Sequence, residues 1–467
     1  MDYIMRLNRF KIIKLSFLLL GLIPVAHIYS QGSSGQNLVN SPYSNYGVGE
    51  WTNTQFYHSG FAPHTFSGHY SYSLSNPATL GTVRYAVLDM GGSFKNGATT
   101  AGGERFDFQG GGFEYLSLAL PVWKHVHKKR FKNDTSLSVK RWNYIPYGAS
   151  SALTLKPLTS LGYSYYLDDN SAVLPTRTSH IGSGGISALQ WTTGIRLGNS
   201  IQLGYGIGYL FGNTKDNALF SVIDSLELGI VEDARSLKFR GMQQQAGVLF
   251  EFKMDSTYHK FGASIEWNSS VNATRNRLSR TLEVNAVGYT SILDTILNTQ
   301  DVKKTIQLPM SFGLGYSFRY RRLFMASVDW RRQSWSGYSA YFDNFNQYKD
   351  RDELTIGLIF NPMDEKLSNE KRMKIPVRFS VGRANSQIQL TQNNTNYGVM
   401  EDRVSIGFGI PMIRRYYDNS VITNMLNVQF SYVNRYTKNS NLPRDEFFTV
   451  GLGFQFGDIW FAKRKYD

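Results

Sequence analysis

Catalytic or metal-binding chemistry needs clustered polar side chains, and this chain spaces them widely. It has no cysteine, and its eight histidines include one group at His58, His64 and His69 and another at His125 and His127. Neither group has metal-ligand spacing with a second cluster nearby. The acidic residues are dispersed, and no set of an acidic residue, a histidine and a serine suited to hydrolysis can be recognised in the sequence. We therefore expect no enzyme activity, no bound metal and no cofactor.

Two glycine-rich runs invite comparison with phosphate-binding loops. Gly110-Gly111-Gly112 and Gly182-Ser183-Gly184-Gly185 are followed by neither a helix nor a Lys-Ser/Thr pair, which such loops require. The runs are better explained as places where strands bend. The second run, with Gly182, Gly184 and Gly185, is a candidate motif opening the fourth of the strands described next.

Alternating segments dominate the last two thirds of the chain. Ile201–Phe211, Leu308–Phe318 and Phe448–Phe456 each place apolar residues on one parity and glycine or polar residues on the other. Side chains of a strand alternate between faces, so each segment has one apolar face. Fourteen strands are predicted from residue 84 onward: 84–95, 110–122, 145–167, 185–197, 200–212, 240–253, 258–287, 302–319, 322–335, 350–361, 374–385, 399–410, 424–436 and 446–457.

A closed sheet satisfies all these apolar faces together, because no helical layer is predicted to cover them. The predicted fold is all-β, a 14-stranded antiparallel transmembrane β-barrel with lipid outside and a polar interior. Tight turns are expected at Gly198-Asn199, Met254–Thr257 and Tyr320–Arg322. Long polar loops are expected at the opposite, external end, at residues 96–109, 213–239, 288–301 and 336–349.

The chain before the strands divides into two parts. Residues 1–30 are typical of a signal peptide, with positive residues up to Lys14, an apolar run Leu15–Ala26 and a small residue at Ser30. After residue 30 there is no apolar run of helical length. Residues 31–82 do not alternate and are rich in aromatic residues that need packing partners, so we predict a plug inside the lumen. Residues 83–467 form the barrel, which we place in the outer membrane of a Gram-negative bacterium.

The third predicted strand contains Lys156-Pro157. Proline cannot donate to a ladder and marks edges or bulges in sheets. Pro157 is consistent either with a gap in the barrel wall or with a simple bend or turn dividing two strands.

The formal charge of +15 is attributed to contact with anionic lipid and lipopolysaccharide rather than nucleic acid. Basic residues are scattered except in Lys124–Lys132 and at Lys463-Arg464-Lys465, both outside the alternating segments. We interpret both stretches as solvated loops or head-group contacts. The external loops could also bind a protein partner.

These features together resemble the FadL-type family of long-chain fatty-acid transporters. Asn76-Pro77-Ala78, immediately before the first strand, is similar to that family's plug motif, and the interrupted third strand matches as well. Shorter similarities to uncharacterised members lie at 41–47, 182–185 and 460–465.

The resemblance implies passive uptake of a hydrophobic small molecule. It implies that Asn76, Pro77 and Ala78 hold the plug and that Lys156 and Pro157 lie near a lateral opening in the wall. Three alternatives stay open: a non-transporting FadL-like barrel acting as a scaffold or in secretion, an adhesin-like or structural barrel, and an enzyme.

Overall fold

The computed structural model describes residues 50–51, 61–101, 103–125, 147–169, 174–223, 229–284, 290–321, 323–338, 348–360, 375–392, 395–415 and 421–458. The predicted signal peptide, the similarities at 41–47 and 460–465, and all but the first residues of the basic loop lie outside these ranges. Among the described residues, no helix is long and apolar enough to cross a membrane.

Fourteen strands follow the order predicted from the alternating segments. The third, seventh and eighth are each interrupted and consist of two segments. The strands are β1 Ala86–Ala101, β2 Glu104–His125, β3 Tyr147–Pro157 with Thr159–Asp169, β4 Thr176–Leu197, β5 Ile201–Val222, β6 Ile230–Met254, β7 Thr257–Glu266 with Ser269–Val284, β8 Thr290–Leu308 with Ser311–Tyr320, β9 Phe324–Gln333, β10 Arg351–Phe360, β11 Val377–Gln392, β12 Thr395–Arg415, β13 Val421–Tyr436 and β14 Arg444–Asp458.

Each strand pairs antiparallel with its neighbours in sequence, and β14 pairs with β1 to close the sheet. The prediction of a 14-stranded antiparallel transmembrane barrel is confirmed. On β5 the outward side chains are apolar and exposed, with Leu203 at 44% and Tyr205 at 49%, whereas inward Gln202 is fully buried. The outward apolar side chains of this and the other strands form the apolar belt.

Tight connections occupy one end of the barrel, where they were predicted. Gly198 (φ 66°), Asp255 (φ 44°) and Arg321 (φ 46°) adopt the left-handed conformation that such short turns need. We call this the tight-turn end.

The predicted long loops at the opposite end were wrong in three places. Residues 96–109, 213–239 and 288–301 are largely strand, because β1, β2 and β5–β8 continue past the apolar belt. Ladder hydrogen bonds come from the backbone, so a hairpin persists where the apolar alternation that marks a membrane strand has ended. Of the fourth predicted loop, 336–349, residues 339–347 lie outside the described ranges.

The prolonged parts of β4–β8 form what we call the projecting sheet, residues 176–186, 212–222, 230–241, 269–284 and 290–308. The first segment of β8 forms its edge, because β9 ends at Gln333 and pairs only with the second segment. Ile292 and Leu293 on this edge are 59% and 65% exposed.

Residues 61–85 lie against the inward, polar and glycine-bearing face of the wall. Phe61, Ala62, Asn76 and Ala78 are fully buried. A 3₁₀-helix, Pro77–Thr82, forms here because Asn76 caps it and Pro77 at the first helical position has no N–H to satisfy.

Candidate functional site

Asn76 organises the turn that begins the 3₁₀-helix. Its Oδ1 accepts a hydrogen bond from the Ala78 N–H at 3.1 Å. Its Nδ2 donates to the His64 carbonyl at 2.8 Å and to the Val248 carbonyl of β6 at 3.1 Å. One amide side chain thus caps the turn, joins two parts of the 61–85 segment and attaches that segment to the barrel wall.

A row of glycines lets this turn approach the wall backbone. Gly194, Gly204 and Gly247 are directly paired across β4, β5 and β6. A β-carbon on Gly204 would collide with the Pro77 carbonyl carbon, and one on Gly194 would lie 2.6 Å from the Gly81 nitrogen. Any side chain in this row would therefore displace the segment.

His64 provides a second attachment. Its backbone N–H donates to Asp329 Oδ1 of β9 at 3.0 Å, and its Nδ1 lies 3.1 Å from the Ser264 hydroxyl of β7. Burial, aided by the charge of Arg331, lowers the pKa of His64 to about 3. The imidazole is therefore neutral at physiological pH.

The third strand separates from the second where proline interrupts it. The β2–β3 ladder ends at the pair Leu116–Leu155. Beyond Leu158 the second segment of β3 pairs with β4 on one side. On its other side, Thr159 and Ser160 pair with Trp51 and Glu50 rather than with β2.

The glycine motif lies directly opposite this interruption. Gly184 (φ 119°) and Gly185 (φ 151°) adopt backbone conformations that L side chains rarely adopt. A β-carbon on Gly182 would collide with the ring of Tyr163, whose hydroxyl donates to Asp216 at 2.7 Å. The prediction that this motif opens the fourth strand was wrong, because β4 begins at Thr176 and the motif bends its interior.

An apolar cluster fills the inner face of the wall toward the end opposite the tight turns. Its side chains come from β3–β8 and from the chain after β9, and Trp335 packs edge-on against Tyr338 with ring centroids 5.3 Å apart. We call this the mouth cluster: Leu158, Ile186, Ala188, Leu210, Phe239, Val271, Ala273, Ile306, Leu308, Trp335 and Tyr338.

Several charged side chains on the inward face of the wall form ion pairs there. Arg196 lies 3.6 Å from Glu251, Arg331 lies 3.7 Å from Glu266, and Arg403 lies 2.5 Å from Glu401. Arg378 donates to the side-chain Oδ1 of Asn427 at 2.8 Å.

The structure brings Pro157 and the glycine motif together, whereas Asn76-Pro77-Ala78 lies at the glycine row on β4–β6. The mouth cluster was not predicted, although inward-parity Leu210 and Phe239 break the glycine and polar alternation and could have indicated it.

No cluster of His, Asp and Glu able to hold a metal ion occurs within the described residues. The mouth cluster offers an apolar molecule a buried apolar surface on the inner face of the barrel.

Comparison with known proteins places the chain among barrels of this architecture. The family model described as BamG matches residues 17–130 and 124–467. The structure is similar to the toluene transporter TodX of P. putida, with 10% identity, a TM-score of 0.51, and coverage of 90% of this chain and 100% of TodX. It is also similar to a Pseudomonas aeruginosa FadL homologue, with 10% identity, a TM-score of 0.50, and coverage of 87% and 99%.

No curated protein sequence matches the chain. At 10% identity, the two structural similarities are evidence for the fold alone, which is that of FadL-like outer-membrane barrels.

Proposed function

Because this chain belongs to the BamG family and has the FadL-like barrel fold, we propose that it is a channel in the outer membrane of a Gram-negative bacterium. It carries hydrophobic compounds, such as fatty acids, inward by passive diffusion. The observation that supports this most is the mouth cluster, an apolar surface inside a wall whose inward face is otherwise mainly polar. The toluene transporter with the same fold supports the same class of cargo.

The proposed route avoids the polar part of the lumen. Lipopolysaccharide is a poor solvent for apolar molecules, so a compound first binds at the mouth cluster. Residues 61–82, which belong to the predicted plug of residues 31–82, close the direct path below it through Asn76, Pro77 and Ala78. The compound leaves sideways, between β2 and β3, beside Lys156 and Pro157, where the ladder is interrupted and the bilayer is adjacent.

The test is uptake into asymmetric vesicles whose outer leaflet is lipopolysaccharide. Full-length protein is inserted, and entry of a radiolabelled long-chain fatty acid or toluene is compared with entry into protein-free vesicles. Pro157→Thr restores an N–H and a β-forming residue at the interruption, and we expect it to slow uptake several-fold. Pro121→Thr is the matched control, since Pro121 lies in β2 where β2 and β3 remain paired.

Two results would contradict the proposal at different points. Equal entry with and without the protein would contradict the channel function. Faster entry with the protein but no difference between Pro157→Thr and Pro121→Thr would support the channel function and contradict lateral exit at β3.

A second candidate function is a scaffold barrel that binds a protein partner. The specific observation in its favour is the projecting sheet, whose β8 edge exposes Ile292, Leu293 and Ile296 outside the apolar belt. Long apolar edge strands are rarely left uncovered in native proteins. Loss of co-purifying protein after Ile296→Lys, with uptake unchanged, would support this function in addition to transport.

A further inference from the structure

A group of basic side chains lies on the outward face of the projecting sheet, where the apolar belt ends. It consists of Lys215 on β5, Lys238 and Arg240 on β6, and Lys303 on β8, and all four residues are exposed. Their outward orientation follows from strand alternation, because Phe239 between Lys238 and Arg240 is buried in the mouth cluster. We call these four residues the outer basic patch.

Strand register brings the patch together from three strands. Lys238 and Lys303 share one row of the sheet with only β7 between them, which places their backbones about 10 Å apart. Arg240 lies two residues from Lys238 on the same face. Lys215 pairs with Ser236, the neighbour of Lys238 on its other side. The four positive charges therefore lie within reach of one polar head group.

The patch lies at the external boundary of the hydrocarbon region. On β5 the outward apolar side chains from Ile201 to Phe211 span roughly 25 Å across the membrane at the usual strand rise and tilt, which is the height of the apolar band of such barrels. Phe211, the last of them, pairs directly with Arg240. A cation that faces the membrane at this depth meets the head groups of the outer leaflet.

Basic side chains at the same level elsewhere on the barrel are neutralised by the protein itself. Arg332 on β9 lies 2.9 Å from Asp350, and Arg383 on β11 lies 2.6 Å from Asp402. Within the described ranges, no member of the outer basic patch forms an ion pair. The contrast shows that the positive charge of this rim is concentrated on β5–β8.

The acidic residues of the projecting sheet do not neutralise the patch. Asp216 and Asp233 lie on the opposite, inward face. Glu232 is on the outward face but lies 2.5 Å from Arg280. Asp301 lies on β8 beyond the patch, further from the membrane. The patch is therefore suited to an external anion at the surface of the hydrocarbon region.

We propose that the outer basic patch is a lipopolysaccharide site that binds a phosphate of lipid A. Lipid A carries its phosphates on the sugars to which its acyl chains are attached, so the phosphate meets the patch while the chains lie against the outward side chains of β5 and β6. Arg240 offers the phosphate a forked pair of donors, and the three lysines supply charge.

This inference rests on the proposed outer-membrane location and holds whether or not the barrel transports a compound. The patch is separate from the stretches Lys124–Lys132 and Lys463-Arg464-Lys465, for which the sequence predicted solvated loops or head-group contacts. Its members are far apart in the chain and meet only through strand pairing.

The experiment compares two forms of one lipid that differ only in phosphate. Purified full-length protein in non-ionic detergent is titrated with diphosphoryl lipid A and with the same lipid A after removal of both phosphates, and dissociation constants are obtained by native mass spectrometry. We expect the wild type to bind the phosphorylated form at least about tenfold more tightly. Lys238→Gln combined with Arg240→Gln should weaken binding of that form about tenfold and leave binding of the other unchanged.

The matched control is Lys253→Gln combined with Arg321→Gln, which removes the same charge from exposed residues at the tight-turn end. We expect it to change lipid A binding less than about twofold. Heat-dependent migration on gels checks that both double variants are folded barrels. Equal affinity of the wild type for the two lipids, or equal losses in the two double variants, overturns the site. Neither result affects the channel, because uptake is measured in a separate assay.

Discussion

At the scale of single residues, glycine is as informative as the polar side chains. Gly194, Gly204 and Gly247 carry no group that binds anything, yet their lack of a β-carbon determines where Pro77 and Asn76 lie. Asn76 then uses its whole amide, accepting once and donating twice. The attachment of residues 61–85 depends on this combination of empty space on the wall and one polar side chain in the turn.

Gly204→Ala is expected to loosen residues 76–81 without unfolding the barrel. The new β-carbon meets the Pro77 backbone, and overpacking of this kind costs about 1–3 kcal/mol. Amide hydrogen exchange should rise in residues 61–85 and stay low in β5. The control is Gly206→Ala on the same strand, where the new β-carbon meets the movable Gln245 side chain at 2.9 Å. Equal exchange in the two variants would contradict the role of the row.

At the scale of elements, the interruption of β3 and the bend of β4 are one feature. Pro157 ends one segment of β3, and Gly184 and Gly185 bend β4 opposite Leu158. The β4 side of β3 keeps its ladder, while the ladder to β2 stops at Leu155. The bend in β4 and the end of the ladder to β2 together allow β3 to separate from β2 while it stays paired with β4.

Gly184→Ala should strain this bend. Its positive φ costs a non-glycine residue about 1–3 kcal/mol, and the added carbon would collide with the Asn213 carbonyl. We expect faster amide exchange in 176–184 and 212–222. Gly398→Ala serves as the control, because a β-carbon there meets no atom within 4 Å. Unchanged exchange in Gly184→Ala would show that β4 does not depend on the glycine.

We expect the stability of the projecting sheet to decrease at low pH because of Asp233, which lies beyond the apolar belt. Burial, the largest influence, raises the pKa of Asp233, but bonds and charges from Arg277 and Arg235 outweigh it and lower the pKa below its ordinary value of 3.8. A carboxyl with a lowered pKa in the folded state stabilises that state above its unfolded pKa and stops doing so as pH falls through the folded pKa.

Protection factors of amides in 230–240 and 275–284 should therefore be constant from neutral pH down to about pH 4 and fall below it. Asp233→Asn should lower protection at neutral pH and remove most of the pH dependence. An Asp233→Asn profile that follows the wild type at every pH would mean that the pair with Arg277, at 2.8 Å, contributes nothing to the sheet.

At the scale of the whole molecule, the barrel is a sheet with its apolar surface outside. Ile207→Arg places a charge in the middle of that surface and should reduce the free energy of unfolding in lipid vesicles by about 2–4 kcal/mol. Phe220→Arg is the control, because Phe220 is exposed on the projecting sheet, beyond the apolar belt. Urea titration of both variants measures the difference, and similar losses would place Ile207 outside the hydrocarbon region.

The sequence by itself determined the membrane barrel, the count and order of its strands and the position of the tight turns. Alternation is a local property: whether Leu203 and Gln202 point to opposite faces depends only on their being neighbours in a strand. The cap that Asn76 provides for the 3₁₀-helix at Pro77 is likewise local, because it involves residues adjacent in the chain.

Only the tertiary structure decided which distant residues meet. That Gly184 faces the interruption at Pro157, that Gly204 receives Pro77, and that Lys156 pairs with Ala188 of the mouth cluster are consequences of strand register and barrel closure. The lengths of the strands could not be predicted from the sequence either, because the backbone ladders of the projecting sheet continue in water, where no apolar periodicity is required. Pairing between strands far apart in the chain depends on geometry that no local pattern contains.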